Sequence, residues 1–146
     1  MLNNLMRTDP NLGCTVARLA LGVVIFSHGA QKMLGWFGGR GFTGTVQVFE
    51  GMGIPVILTV LIIMGEFFGS LGLIFGLFSR VAAAGIGIIM LGAIFMAHLQ
   101  HGFFMNWSGN KPGEGFEYHI LAIGLALIVT LRGSGLLSVD AAVSKR

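Results

Sequence analysis

The chain has 146 residues, 54% of them hydrophobic and only 10% charged, where soluble domains carry about 25% charged residues; its mean hydropathy is +0.84. This excludes an ordinary soluble domain and points to an all-α integral membrane protein. The net charge of +3 comes from basic residues that stand singly, so no phosphate-binding face is built and no nucleic-acid partner is expected. Cys14 is the single cysteine, which excludes an intrachain disulfide.

Met1 to Asn11, with Arg7, Asp9 and Pro10, reads as a polar lead-in at the membrane surface. The first apolar stretch, about 12–37, is too long for a cleavable leader and carries Arg18, His28 and Lys32. At about 100° per residue, Lys32 falls ~40° and His28 ~80° from Arg18. The three therefore share a polar arc beside Gly22 and Gly29. Arg18 and Lys32 also have stems long enough to snorkel to headgroups from opposite ends of the helix.

The segment GGRGFTGTVQVFEGMG follows. Its glycines at 38, 39, 41 and 44 break a spanning helix, while Val46, Phe49 and Met52 suit a short interfacial amphipathic helix in this loop. The second span, about 54–78, opens at Pro55 and carries Gly65, Gly69, Gly72 and Gly76, a small-residue stripe that lets a neighbouring backbone approach. Glu66 lies next to the stripe, near mid-span. A charge at that depth costs about 2.5–3.5 kcal/mol on insertion scales, so Glu66 is expected to face a neighbouring helix.

A tight turn at Ser79 and Arg80 leads into a third span, about 81–100, that ends near His98 and His101. The loop from Gly102 to Gly115 mixes Phe103, Phe104, Trp107, Lys111 and Glu114, as the headgroup level favours. The fourth helix, about 116–131, begins near Glu117 and His119 and exits through Arg132. The sequence thus predicts a single transmembrane domain over 1–146, a four-helix bundle. Arg7, Arg80, Arg132, Lys145 and Arg146 gather on the side of the termini against Arg40 and Lys111 opposite. That bias places both termini in the cytoplasm.

For Glu66 two readings stand side by side: an internal ion pair with Arg18, His28 or Lys32 that locks the bundle, or a ligand, proton or redox role. Depth favours His28 as its partner. His98 and His101, about 60° apart on a helix, suit either hydrogen bonds to loop backbone or a metal site completed by Glu117 or His119. Glu117 and His119 lie ~200° apart, which sets them on different faces. A structural metal on His98, His101 and His119, or a haem bridged by two histidines, ranks behind a quinone as bound group. Nucleophile triads and phosphate-binding loops are absent from the sequence.

The blocks RLALGVVIFSHGAQKMLGWFGG (18–39), GEFFGSLGLIFGLFSR (65–80), HLQHGFF (98–104), GFEYHILAIGLAL (115–127) and GSGLLSVD (133–140) resemble the DoxX family of small bacterial membrane proteins. The resemblance implies a four-helix bundle in the bacterial inner membrane and, in some members, association with redox or oxidative-stress systems. It carries over Arg18, His28, Gly29, Lys32, Glu66, Arg80, His98, Gly102 and Glu117. The expected function is a redox-associated membrane subunit with a pocket for a quinone-like ligand. Glu66 or His28 would pass protons and Lys32 would offset negative charge; Arg18, His98 and Glu117 complete the candidate ligand-binding set. A non-catalytic anchor or scaffold subunit of an oxidoreductase complex, or a transporter of a small apolar metabolite, are the alternatives. Membrane lipid and either a partner oxidoreductase or further copies of the chain are the implied partners.

Overall fold

The computed structural model describes residues 6–144; Lys145 and Arg146, counted above for orientation, lie outside the described residues. These residues form helices and no strand. Helix α1, Leu12–Leu34, is opened by Asn11, whose side chain accepts from the Gly13 N–H at 2.7 Å. It is closed by Gly35 at φ 75°, a left-handed conformation that glycine adopts at little cost. Trp36 and Phe37, inside the expected span, therefore lie past its end in a 3₁₀ turn, Trp36–Gly38.

Helix α2, Gly41–Gly51, is the short helix expected in this loop. Helix α3, Val56–Phe75, ends at Gly76, again left-handed at φ 70°, which leaves Leu77 and Phe78 outside the span expected to reach them. Helix α4, Ser79–Ala93, continues through a π turn, Ile94–His98, and a 3₁₀ turn, Leu99–His101. Helices α5, Glu117–Arg132, and α6, Val139–Ser144, complete the described chain.

Three stretches, Leu12–Leu34, Val56–Phe75 and Ser79–His101, are long and apolar enough to cross a membrane. Their outer faces carry Val23, Ile57, Leu61, Phe75, Leu91 and Phe95 in the open, an apolar surface suited to lipid and far more extensive than water-facing proteins expose. Helix α5 has 16 residues, about 24 Å at 1.5 Å per residue, short of the ~30 Å hydrocarbon layer. By length it does not reach the expected fourth span.

Helices α1, α3, α4 and α5 pack in a closed ring, each against two neighbours. Small residues set the closest approaches. Gly22 meets Leu73 and Ile74, and Gly29 meets the backbone of Glu66 and Phe67, where an added Cβ would sit 2.8 Å away. On the other side of α3, Gly65, Gly69 and Gly72 face Ile89, Ile86 and Ala82 of α4. The predicted stripe is thus the α3–α4 seam, and Gly76, its fourth member, is the helix terminator.

The dry core occupies one end of this ring. Ala17, Leu21 and Ile25 of α1, Leu73 of α3, Ala83, Ile86 and Met90 of α4, and Ala122, Ala126 and Val129 of α5 form one cluster. Most lie toward the end where the termini and the α3–α4 turn meet, and Met90 reaches the cavity described below. The segment after α5 folds back across this end. The Asp140 carboxylate accepts from Phe78 N–H at 2.8 Å and Ser79 N–H at 2.9 Å, capping α4 from 61 residues away. Asp140 N–H in turn donates to Gly76 C=O at 2.9 Å.

Candidate functional site

At the opposite end, toward the α1–α2 and α4–α5 connections, the helices separate around a cavity of about 560 Å³, within the range of small-molecule sites. Leu58 and Ile62 of α3 and Ile88, Met90 and Met96 of α4 make its apolar wall. The π turn at 94–98 lies on the cavity wall. One extra residue per turn re-aims the chain, and Met96, Ala97 and His98 in succession reach the cavity.

At the foot of the cavity Lys32 Nζ donates to Glu66 Oε2 at 2.5 Å. The Glu66 side chain is 4% exposed and that of Lys32 23%, so Glu66 is turned inward as expected, and Lys32 is the partner rather than the depth-favoured His28. The geometry has a local cause. Gly29 lets α1 close on the α3 backbone at Glu66 itself, and Lys32 follows three residues later on the same face of α1. Its ammonium is therefore held for pairing and does not snorkel to the surface.

His28 lines the cavity beside Lys32 and approaches Tyr118, with 5.8 Å between ring centroids. His98 and His119 also line it, their rings 4.1 Å apart. The His98 Nδ1 lies 2.9 Å from Glu114 C=O, the bond to loop backbone that the sequence suggested. Since a carbonyl only accepts, that nitrogen carries the hydrogen. Among the described residues no group of three or more His, Cys, Asp or Glu side chains is placed to hold a metal ion. His101, the remaining metal candidate, stands outside the cavity against Gly113.

Two members of the candidate ligand-binding set lie elsewhere. Arg18, 1% exposed, donates from Nε to Ser134 C=O at 2.8 Å and from Nη1 to Ile74 C=O at 2.8 Å and to Leu73 C=O. Its Nη2 reaches Leu137 C=O at 3.1 Å and Leu136 C=O at 3.5 Å. It satisfies the open carbonyls at the end of α3, where a cation also suits the helix dipole, and ties them to the returning tail, far from Glu66. Glu117 faces away from the cavity and accepts from Trp107 Nε1 at 3.1 Å, on the face opposite His119 as their spacing required. Conversely, Tyr118 and Glu114 line the cavity without having been singled out as ligand residues, and His119 had been weighed only for metal. The signal for Tyr118 and His119 was two polar rings side by side at the start of an otherwise apolar helix. A second, open groove of about 680 Å³ at the other end is lined by Arg7, Asp9, Arg80 and Arg132, and there Arg132 pairs with Asp9 at 3.2 Å.

Fold and site together define a multi-span helical membrane protein with a charged pair sunk at the base of an apolar, ligand-sized cavity. The DoxX family model matches residues 13–99, and the chain belongs to the DoxX family. It is 29% identical over 140 residues to "Putative oxidoreductase CatD" of Bacillus subtilis, covering 96% of this chain and 93% of that protein. It is 26% identical over 141 residues to inner membrane protein YqjF of Escherichia coli, covering 97% and 99% of the two chains. Inner membrane protein YphA of Escherichia coli is 24% identical over 130 residues, 86% of each. No solved structure matches the chain.

Proposed function

We propose that this protein is a bacterial inner-membrane component of a redox system and binds a quinone-like, small apolar ligand in the cavity above Lys32 and Glu66. The observation that carries this reading is the ion pair itself, 2.5 Å long, buried where an apolar wall would otherwise have no use for charge. The names of YqjF and YphA support the inner membrane, and that of CatD supports redox chemistry. Helix α5 serves as the fourth crossing of a single transmembrane domain. Leu121, Leu127 and Leu131 exposed along it support this, as local thinning of the bilayer accommodates a short span at modest cost. With four crossings, Arg7, Arg80 and Arg132 lie on the side of the termini, which orients both termini to the cytoplasm. The cavity then opens in the outer half of the bilayer.

In this reading Lys32 Nζ offsets negative charge on a ligand oxygen. Glu66 or His28 passes the two protons, taken from water at the cavity mouth, that accompany the two electrons supplied by a partner oxidoreductase as the quinone is reduced. The test is labelling of the purified protein by a photoreactive quinone, with competition by unlabelled quinone. Wild type is expected to label, and Glu66→Gln and His28→Ala to label less; equal labelling of all three would remove the proposal. A second reading, a non-catalytic membrane subunit docked to an oxidoreductase, is favoured by one observation: Lys32 and Glu66 neutralise each other and clamp α1 to α3. It expects Glu66→Gln to lower stability or co-purification of the partner while quinone binding is absent throughout.

A further inference from the structure

The open groove at the other end of the helices lies where α4 begins and α5 ends, with the segment 7–10 as its third wall. Arg7, Arg80 and Arg132 all line it, and Asp9 is the one carboxylate among its lining residues. Arginine keeps its charge at any working pH, so the groove is net positive.

Short bonds fix this gathering of cations. Arg80 donates from Nε to Arg7 C=O at 2.8 Å and from Nη1 to Thr130 C=O at 3.0 Å, and Asp9 N–H donates to Arg132 C=O at 2.9 Å. The two Arg80 bonds go to neutral carbonyls and leave its charge without a counter-ion. Arg132 pairs with Asp9 at 3.2 Å, but the two side chains are 68% and 41% exposed, and so open a pair is worth little. Its guanidinium can turn to a better acceptor. A phosphate is that acceptor, because guanidinium groups meet it through parallel N–H bonds and its charge offsets their mutual repulsion.

The rim of the groove identifies where the phosphate comes from. Leu131 lines the groove and is 71% exposed. Leu127, one turn back along α5, is 55% exposed, and Val81, next to Arg80, is 52% exposed. Charge and exposed apolar surface are thus adjacent. A free phosphate uses the arginines alone, whereas a phospholipid also lays an acyl chain along Leu131 and Leu127.

We propose that Arg7, Arg80 and Arg132 form a binding site for the phosphodiester headgroup of an anionic phospholipid, drawn from the leaflet at this end of the helices. In the orientation given above that leaflet is the cytoplasmic one. The site is independent of whatever occupies the cavity at the other end.

The experiment titrates purified full-length protein in detergent with phosphatidylglycerol and with phosphatidylcholine of the same acyl chains, and native mass spectrometry gives Kd for each. Wild type is expected to bind phosphatidylglycerol about tenfold more tightly. Arg7→Gln and Arg132→Gln are each expected to weaken phosphatidylglycerol about fivefold, the worth of one arginine near an anionic headgroup, and to leave phosphatidylcholine unchanged. Arg40→Gln, at the cavity end of the helices, should change neither. Arg132→Gln breaks only an exposed pair, so its Tm without lipid should hold, which separates lost binding from lost folding. Equal Kd for the two lipids in wild type, or a preference that survives when Arg7→Gln and Arg132→Gln are combined, overturns the site. Glycerol phosphate binding as tightly as phosphatidylglycerol overturns the lipid as its occupant.

Discussion

Removing Lys32 and removing Glu66 are not equivalent perturbations. At 2.5 Å and an effective dielectric of 20, the gross attraction of the pair is about 6–7 kcal/mol, much of which offsets the cost of taking both charges out of water. Lys32→Met leaves the Glu66 carboxylate, 4% exposed, without the one hydrogen-bond partner it has among the described residues. The expected loss is about 3–5 kcal/mol, the usual cost of orphaning a buried charge. Glu66→Gln leaves an ammonium that is 23% exposed and can still donate to the amide oxygen, so its expected cost is smaller, about 1–2 kcal/mol. Replacing both, as Lys32→Met with Glu66→Leu, should return the protein to within about 1 kcal/mol of wild type. Reversible unfolding in SDS, followed by tryptophan fluorescence, measures all of these on one scale. Equal losses in the two single variants, with a double variant equal to their sum, would refute the assignment of a coupled buried pair.

Arg18→Met should destabilise by about 3 kcal/mol or more in the same assay, because it strips the open carbonyls of α3 and the tail of their shared donor. Arg18→Lys should rescue little, since one ammonium lacks the planar fork that reaches several carbonyls at once. Asp140→Asn replaces one accepting oxygen by a donor that faces the N–H of Phe78 or Ser79. It should cost about 1–3 kcal/mol and expose the segment after α5 to limited proteolysis sooner than in wild type.

The spans were legible because apolar runs and single-residue terminators are local. Their ends were displaced for an equally physical cause: Trp36, Phe37, Leu77 and Phe78 continue the apolar run past Gly35 and Gly76, and hydropathy does not register a change in φ. The earlier start of α4 at Ser79 depends on Asp140, a contact that no local pattern contains. Glu66 could be turned inward from the glycines beside it, but depth alone pointed to His28. What selected Lys32 is the closeness of α1 and α3 at Gly29, which fixes the height of one helix against the other. Arg18 shared an arc with Lys32 and was grouped with it. The returning tail instead supplied carbonyls at Arg18's own level, and a guanidinium so satisfied has no need of a carboxylate. The π turn re-aims His98 relative to a regular helix, so spacing rules alone did not place it beside His119.

The stitching by Arg18 and Asp140 sits at one end of the helices, and the cavity at the other. Substitutions at Leu58, Ile62, Ile88 or Met96 therefore reshape what the cavity admits without loosening the frame. The apolar cavity wall and the stitched end thus occupy different halves of the helices, with the Lys32–Glu66 clamp on the cavity side. A chain built this way can drift in the shape of its cavity while keeping the Lys32–Glu66 pair and the stitched end unchanged.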